Sequence, residues 1–194
     1  GTAVLSLTGS DADTGANGRF SFAIVDGDGK LAINPSSGVV SILNALDHEK
    51  QAEHNVTVRV TDFGEPPLSS SVMFAVVVED ANDNSPVFDQ AQYTFNTNEN
   101  SVGVVGRVSA VDADSELNGI VAYRLESGNA SLFAVNRLSG SVSVLEQLDA
   151  ETQASHDLTV VAFDAGSPSL ETSVLVRVQV NNINDNAPLF EKDV

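Results

Sequence analysis

The chain has 194 residues, a length that suits two domains of about 100 residues each. Its 27 acidic and 9 basic residues give a formal net charge of −18, which argues against nucleic acid and against direct membrane contact, since both partners require a basic face. A hydrophobic fraction of 42% argues against a disordered acidic tail, and the absence of cysteine excludes disulfides. A cation is the partner that this charge favours.

Alternating apolar and polar residues predict half-buried strands in both halves of the chain. In the first half they run from Val56 to Thr61 and from Val72 to Val78. In the second half they run from Leu158 to Ala162 and from Val174 to Val180. Shorter predicted strands cover residues 39–43, 92–95 and 142–145. Short strands separated by Gly, Asn, Asp and Pro predict an all-β fold of antiparallel sandwiches.

The segments between the strands lack the length of an ordinary helix. A short helical or 3₁₀ turn after Asp47 and after Asp149 stays open as an alternative to a loop. The stretch Asp26-Gly27-Asp28-Gly29 begins like a calcium-binding EF-hand loop, but its twelfth position holds Ser37 instead of glutamate. It is therefore predicted to be a hairpin turn.

One acidic motif (a short run of residues, here called a word) occurs twice along the chain. Asn82-Asp83-Asn84 and Asn184-Asp185-Asn186 each precede an x-Pro-x-Phe segment, and they are 102 residues apart (184 − 82). An internal repeat of this size indicates that a whole domain has been duplicated. We predict one repeat at residues 1–84, in which the first strand is missing, a second at 85–186 and the start of a further repeat at 187–194.

Further acidic words are duplicated at offsets of 101 or 102 residues. They are Asp11-Ala12-Asp13 with Asp112-Ala113-Asp114, Asn17-Gly18 with Asn118-Gly119, Asp47-His48-Glu49 with Asp149-Ala150-Glu151, and Asp62-Phe63-Gly64 with Asp164-Ala165-Gly166. Carboxylate, amide and main-chain oxygens are the ligands that calcium prefers, with roughly six to eight per ion. The chain has no thiolate and no histidine pair at ligand spacing, so its sequence does not favour a softer metal.

These ordered words, together with Glu99, resemble the motifs of the cadherin superfamily over essentially the whole chain. The resemblance implies tandem seven-stranded Greek-key β-sandwiches stacked end to end, with Ca²⁺ between successive repeats. It also implies internal repeats of a long cadherin of the Fat, Dachsous or cadherin-23 type. An Asp-x-Asp at the tip of the first repeat predicts a preceding repeat in the parent chain.

The resemblance implies specific ligands. For the joint between the two repeats they are Asp47, Glu49, Ala81, Asn82, Asp83, Asn84, Asp112, Asp114, Asn118 and Asp164. Half-sites are expected at the chain ends, at Asp11, Asp13, Asn17, Asp62, Glu99, Asp149, Glu151 and Asp185. Repeat 1 has no counterpart of Glu99, since Gly1 aligns with Val102, so ions near Asp47 and Glu49 are expected to bind weakly. The half-site at Asp185 is expected to bind poorly by itself.

The function implied by the resemblance is calcium-dependent adhesion or tethering by an extracellular rod within a single-pass plasma-membrane protein. The implied partner is another cadherin ectodomain, bound homophilically or heterophilically, alongside adjacent repeats of the parent chain. The alternative is an ancillary calcium-binding module of a secreted enzyme or a microbial surface protein. We expect no catalytic activity, because the paired carboxylates occur at the ends of two separate copies. Asn55 and Asn129 begin N-glycosylation triplets.

Overall fold

The computed structural model describes residues 1–190. The chain forms two compact units, Gly1–Ala81 and Asn82–Val194, which we call unit 1 and unit 2. All regular structure within residues 1–190 is β-strand, which confirms the all-β prediction. The described part of the chain contains no helix with the length and hydrophobicity needed to span a bilayer. The predicted repeat boundaries stay a prediction, and residues 191–194 of the predicted third repeat lie outside the described residues.

Unit 1 is built from two three-stranded antiparallel sheets. Its strands are β1 (Ala3–Ser6), β2 (Phe20–Asp26), β3 (Leu31–Ile33), β4 (Val39–Ile42), β5 (Glu53–Asp62) and β6 (Ser69–Val77). One sheet has the order β1-β4-β3 and the other β2-β5-β6. The apolar residues that face inward between them include Phe22, Val40, Val56 and Val58.

Unit 2 repeats this arrangement and includes an opening strand, β8 (Gln92–Asn98). Its strands are β7 (Val87–Phe88), β8 (Gln92–Asn98), β9 (Gly103–Arg107), β10 (Ala110–Val111), β11 (Ala122–Ser127), β12 (Phe133–Val135), β13 (Ser141–Val144), β14 (Ser155–Phe163) and β15 (Glu171–Asn181). The sheets have the orders β11-β14-β15-β8, β12-β13-β9 and β10-β7. Strand β8 joins β15 in parallel, whereas the other pairings in this unit are antiparallel.

Side-chain alternation explains why these segments are strands. On β15 the residues Val174, Val176, Val178 and Val180 are buried, while the residues between them are exposed. β-Branched side chains suit such a half-buried pleated surface. The long predicted strands therefore correspond to β5, β6, β14 and β15, with ends that differ by a few residues, and Val78 lies just beyond the end of β6.

The segment Asp26–Gly29 is a turn, but the predicted hairpin is wrong. Strand β2 before it pairs with β5, and strand β3 after it pairs with β4 in the other sheet. The turn therefore carries the chain from one layer of the sandwich to the other. After Asp47 the chain forms a single helical turn, in which the backbone N–H of Gln51 donates to the carbonyl of Asp47 at 3.0 Å.

Candidate metal centre

Three segments of unit 2 bring oxygen atoms together at one end of its sandwich. They are the strand-free stretch Asn82–Asn84, the loop between β10 and β11 with Asp112 and Asp114, and the loop between β14 and β15 with Asp164. The backbone N–H of Asn84 donates to Asp114 Oδ2 at 3.1 Å, and its side-chain amide donates to Asp114 Oδ1 at 2.6 Å. These two bonds tie the Asn-Asp-Asn word to the Asp-x-Asp word.

The Asp-x-Asp loop has its shape for a local reason. The backbone N–H of Asp114 donates to Asp112 Oδ1 at 3.0 Å, which curls the loop around the first carboxylate. A Cβ on Gly119 would lie 2.1 Å from the carbonyl oxygen of Asp114, so only glycine fits there. The duplicated Asn-Gly word is therefore a steric requirement of the loop that presents the carboxylates.

Asp164 is almost fully buried, with 2% of its surface exposed. Its carboxylate accepts bonds from the backbone N–H groups of Gly166 at 2.9 Å and of Leu170 at 3.1 and 3.0 Å. Asn82 packs on this loop, because its amide donates to the Pro168 carbonyl at 2.6 Å and would lie 2.3 Å from a Cβ on Gly166. The glycine of the Asp-x-Gly word thus makes room for the side chain of Asn82.

Two oxygens in this cluster lack the partners that buried polar atoms normally have. Asn82 Oδ1 and Asp112 Oδ2 are buried and accept no hydrogen bond from the described residues. Burial raises the pKa of Asp112, and the negative charges of Asp114 and Asp164 add to that rise. A hard cation would satisfy both oxygens and relieve the repulsion between the carboxylates, so this donor set fits Ca²⁺.

A second acidic group lies within unit 2 at Glu99, Asp149 and Glu151, whose ligand atoms are all within 4.8 Å of one another. Glu99 is 1% exposed and directly follows strand β8. Its carboxylate accepts from the backbone N–H of Ile183 at 2.6 Å and of Ala150 at 2.8 Å, and these two bonds lower the pKa of Glu99. Glu99 therefore also organises the protein backbone around it.

Two asparagines at this group were not among the predicted ligands. Asn100 donates to Asp185 Oδ2 at 2.7 Å, and Asn182 donates to Glu151. Asn182 occupies the position that Asp80 holds in the first linker, which is the signal that could have identified it. Both amides bring a neutral donor to a carboxylate, and the other oxygen of Asp185 accepts from the side-chain amide of Asn186 at 2.7 Å.

Unit 1 carries the same Asp-x-Asp arrangement at Asp11, Asp13 and Asp62. The backbone N–H of Asp13 donates to Asp11 Oδ1 at 2.9 Å, and that of Gly64 donates to Asp62 Oδ1 at 2.9 Å. Asn17 Oδ1 lies near Asp62, since both oxygens are within 3.4 Å of the point where a Cβ on Gly64 would sit. The three carboxylates border an open cleft of about 300 Å³.

At the other end of unit 1, the ligand atoms of His48, Glu49 and Asp80 lie within 4.8 Å of one another. His48 and Asp80 were not predicted as ligands. The Nδ1 of His48 is 2.8 Å from the carbonyl oxygen of Val78. Asp47 pairs with Lys50, whose hydrogen bond lowers the pKa of Asp47.

The remaining predicted site residues have these positions. Ala81, Asp83 and Asp185 are exposed, and Asn118 is half-buried directly before Gly119. Asn55 is exposed on β5, and Asn129 is exposed in the turn after β11. Calcium ligation and glycosylation at all of these positions stay predictions.

The family model described as "Cadherin domain" matches residues 1–79 and 93–181. Over 192 residues the chain is 38% identical to protocadherin-16 of Rattus norvegicus, and over 194 residues 40% identical to the Fat-like cadherin-related tumor suppressor homolog of Drosophila melanogaster. Protocadherin Fat 4 of Homo sapiens is 38% identical over 197 residues. These alignments cover 98–99% of this chain but only 4–6% of each relative.

Solved structures give the same result. The crystal structure of mouse cadherin-23 EC22-24 is similar with a TM-score of 0.91 and 34% identity, covering 99% of this chain and 63% of that one. The extracellular cadherin domains 3-6 of protocadherin gamma B2 are similar with a TM-score of 0.85 and 35% identity, covering 93% of this chain and 45% of that one. The relatives named here are cadherins and not enzymes.

Proposed function

Because the chain belongs to the cadherin family, we propose that it is part of an extracellular adhesion rod whose repeats are held by calcium. The resemblance predicted from its duplicated acidic words is confirmed by this membership. The chain spans 4–8% of the length of the curated relatives matched, so the activity of the whole protein is part of the proposal.

The observation that carries the proposal is the oxygen cluster at Asn82, Asp112, Asp114 and Asp164. Two of its buried oxygens lack a hydrogen-bond donor among the described residues, and the pKa of Asp112 is raised. Two negative charges about 5 Å apart repel by roughly 1 kcal/mol in water and about 3 kcal/mol at an effective dielectric of 20. Bound Ca²⁺ would supply positive charge and coordinate the two oxygens that lack a donor.

The protein residues have separate roles in this proposal. Asp112 and Asp114 present carboxylates from one curled loop, Asp164 is held by its own loop, and Asn84 joins the linker to Asp114. A cation held by all three segments would fix the linker against the sandwich. The participation of Asp47 and Glu49 in the same ions is inferred from the sequence alone.

Calcium titration of the 194-residue chain tests this proposal. Extracellular calcium modules bind with a Kd on the order of 10⁻⁴–10⁻³ M. Calcium at 100 times its Kd would stabilise a one-site protein by about 2.7 kcal/mol, so Tm is expected to rise on addition and to fall with chelator. Asp112→Asn with Asp114→Asn should remove most of that rise.

Asp157→Asn is the matched control, because Asp157 is an exposed acid bound to Arg177 on the outward face of β14. It should leave calcium affinity unchanged. A Tm that is the same in calcium and in chelator, with no heat of binding by calorimetry, would reject the proposal.

We also propose that the parent ectodomain binds another cadherin ectodomain. The support is its membership of a family whose named relatives are protocadherins and Fat cadherins. Beads coated with the parent ectodomain should aggregate in calcium and disperse in chelator. Beads that stay dispersed, both alone and with beads carrying other ectodomains, would contradict this part.

A further inference from the structure

An exposed apolar stripe lies on the outward face of β6 in unit 1. Met73 is 70% exposed and Val77 is 67% exposed, with exposed Ala75 between them. Their spacing of two residues places all three on one face of the sheet. Contiguous exposed apolar surface of this kind usually has a covering group or a partner.

Unit 2 has no such stripe at the corresponding positions. These positions, 102 residues later on β15, hold Leu175, Arg177 and Gln179. Arg177 makes two hydrogen bonds to Asp157 on the neighbouring strand, at 2.7 and 2.8 Å. The matching positions of unit 2 thus hold one exposed apolar residue, Leu175, and two polar ones, so the three-residue apolar stripe occurs in unit 1 and not at the matching positions of unit 2.

The stripe faces the acceptor triplet Asn55-Val56-Thr57. In the antiparallel register of β5 and β6, Asn55 is directly opposite Ala75 and Thr57 is directly opposite Met73. Directly opposed residues share a face, with Cβ atoms roughly 4.5–5.5 Å apart. Asn55 is exposed, so a group attached to its amide would emerge beside the middle of the stripe.

We propose that Asn55 carries an N-linked glycan that lies over the stripe from Met73 to Val77 and keeps this face of the sheet out of protein contacts. The inference rests on the proposed function, because this modification requires passage through the secretory pathway. The glycan is bulky and solubilising, as a cover for exposed apolar side chains must be.

The linking reaction balances with a lipid-linked oligosaccharide as the donor. A C–N bond forms between Asn55 Nδ2 and C1 of the first sugar, while the C1–O bond to the lipid pyrophosphate breaks. The pyrophosphate leaves with the electron pair, and Nδ2 gives up one proton. Nδ2 now donates to Glu53 Oε1 at 3.1 Å, and its remaining hydrogen can keep that bond and orient the first sugar along the strand.

Asn129 supplies a matched second acceptor. It lies in an exposed turn, where Ser131 Oγ donates to Asn129 Oδ1 at 2.6 Å. Removal of this acceptor changes the glycan content without changing the face of β5 and β6.

The test is expression of the 194-residue chain behind a secretion signal in mammalian cells, with purification in calcium. Peptide mapping after enzymatic deglycosylation measures occupancy at Asn55 and at Asn129. Fluorescence of 1-anilinonaphthalene-8-sulfonate measures exposed apolar surface, and light scattering measures self-association. The variants are Asn55→Gln, Thr57→Val, which removes the same acceptor but keeps Asn55, and the control Asn129→Gln.

We expect occupancy at Asn55 and a several-fold rise in dye fluorescence with self-association in both Asn55→Gln and Thr57→Val. Asn129→Gln should match the parent protein. Adding Met73→Thr and Val77→Thr to Asn55→Gln should return fluorescence to the parent value.

Three results would overturn the inference. They are an unmodified Asn55, an occupied Asn55 whose loss leaves dye binding unchanged, and self-association of the fully glycosylated protein through Met73 and Val77. The Tm difference between calcium and chelator is measured on the same samples. An unmodified chain that keeps this difference rejects the glycan alone, and a modified chain that lacks it rejects the calcium proposal alone.

Discussion

The last strands of the two units differ in how their edges are covered. Strand β15 pairs with β14 on one side and in parallel with β8 on the other, from Leu175 opposite Gln92 to Asn181 opposite Asn98. Among the described residues, β6 pairs with β5 alone. In unit 2 the strand β8 therefore covers this edge, and Glu99 follows it directly, which links the packing of unit 2 to its acidic group.

The two cores are filled in different ways where β8 lies. The Phe95 ring of β8 packs over Gly106, where a Cβ would be 2.3 Å from the ring. The corresponding residue of unit 1, 101 positions earlier, is Leu5, which packs against the core of that unit. A glycine under an aromatic ring in one copy thus corresponds to a larger side chain in the other.

Removal of Glu99 should give the largest effect. Glu99→Ala leaves the backbone N–H groups of Ile183 and Ala150 without their acceptor, and burial of unpaired donors is costly. We expect the Tm of unit 2 in chelator to fall by about 15 °C, measured by calorimetry. Asp149→Asn, at an exposed member of the same group, is the control and should change the Tm in chelator little. A fall in Tm seen only when calcium is present would mean that Glu99 acts as a ligand without a structural role.

Shortening the inward valines of the last strands should destabilise the two units by different amounts. Val178 is 0% exposed between β14 and β8, whereas the corresponding Val76 is 9% exposed. Val178→Ala should cost about 2–3 kcal/mol and Val76→Ala about 1 kcal/mol, because more contacts are lost at the covered position. Urea unfolding followed by amide hydrogen exchange on β14 and β5 measures each unit. Equal losses would show that β8 does not tighten the core.

The glycines of the Asp-x-Gly words should differ in their effect on calcium. A Cβ on Gly166 would meet Asn82 at 2.3 Å, while a Cβ on Gly64 meets Asp62 Oδ1 at 3.2 Å. Gly166→Ala should displace Asn82 and weaken calcium binding roughly ten-fold, which corresponds to about 1.4 kcal/mol. Gly64→Ala should have a much smaller effect by calorimetric titration. Similar affinities for both variants would remove Asn82 from the proposed site.

The equivalent histidines His156 and His54 should give the smallest effect, as a difference in pH dependence. Burial lowers the pKa of His156, which stacks against Phe133 at 5.1 Å between ring centroids. The unfolded chain then binds a proton at His156 more readily than the folded chain does. Unit 2 therefore loses stability as pH falls below about 6.5. His54 instead contacts Asp28, and its hydrogen bond lowers the pKa of Asp28.

The stabilising contribution of Asp28 is present above its unfolded pKa of about 3.9 and is lost only as pH falls through its lower folded value. Unit 1 should therefore start to weaken at a lower pH than unit 2 when both are followed by hydrogen exchange in chelator. His156→Gln should remove the decline of unit 2 near pH 6.5. A decline that persists in this variant would assign it to other groups.

Much of the fold followed from local pattern. Alternation predicted the long strands because each has one buried face, as on β14 and β15. The turn at Asp26–Gly29 was misassigned because turn residues show where the chain reverses but not which strand it pairs with next. Strand pairing depends on residues distant in sequence, such as the β2 and β5 partners Phe22 and Val60.

The acidic words were found by duplication, since a single Asp-x-Asp carries little information. His48, Asp80, Asn100 and Asn182 were missed because their roles depend on neighbours brought close by folding. The same holds for Gly166, whose close contact with Asn82 joins residues 84 positions apart (166 − 82).

The sequence by itself determined the repeat, the family, the all-β class and the oxygen chemistry of the candidate ligands, because each follows from residue type and spacing. Only the tertiary structure decided which of those oxygens lack a donor, that Glu99 holds two backbone amides, and that Asn55 faces the stripe on β6. These are properties of pairing and burial, and they arise from contacts between segments far apart along the chain.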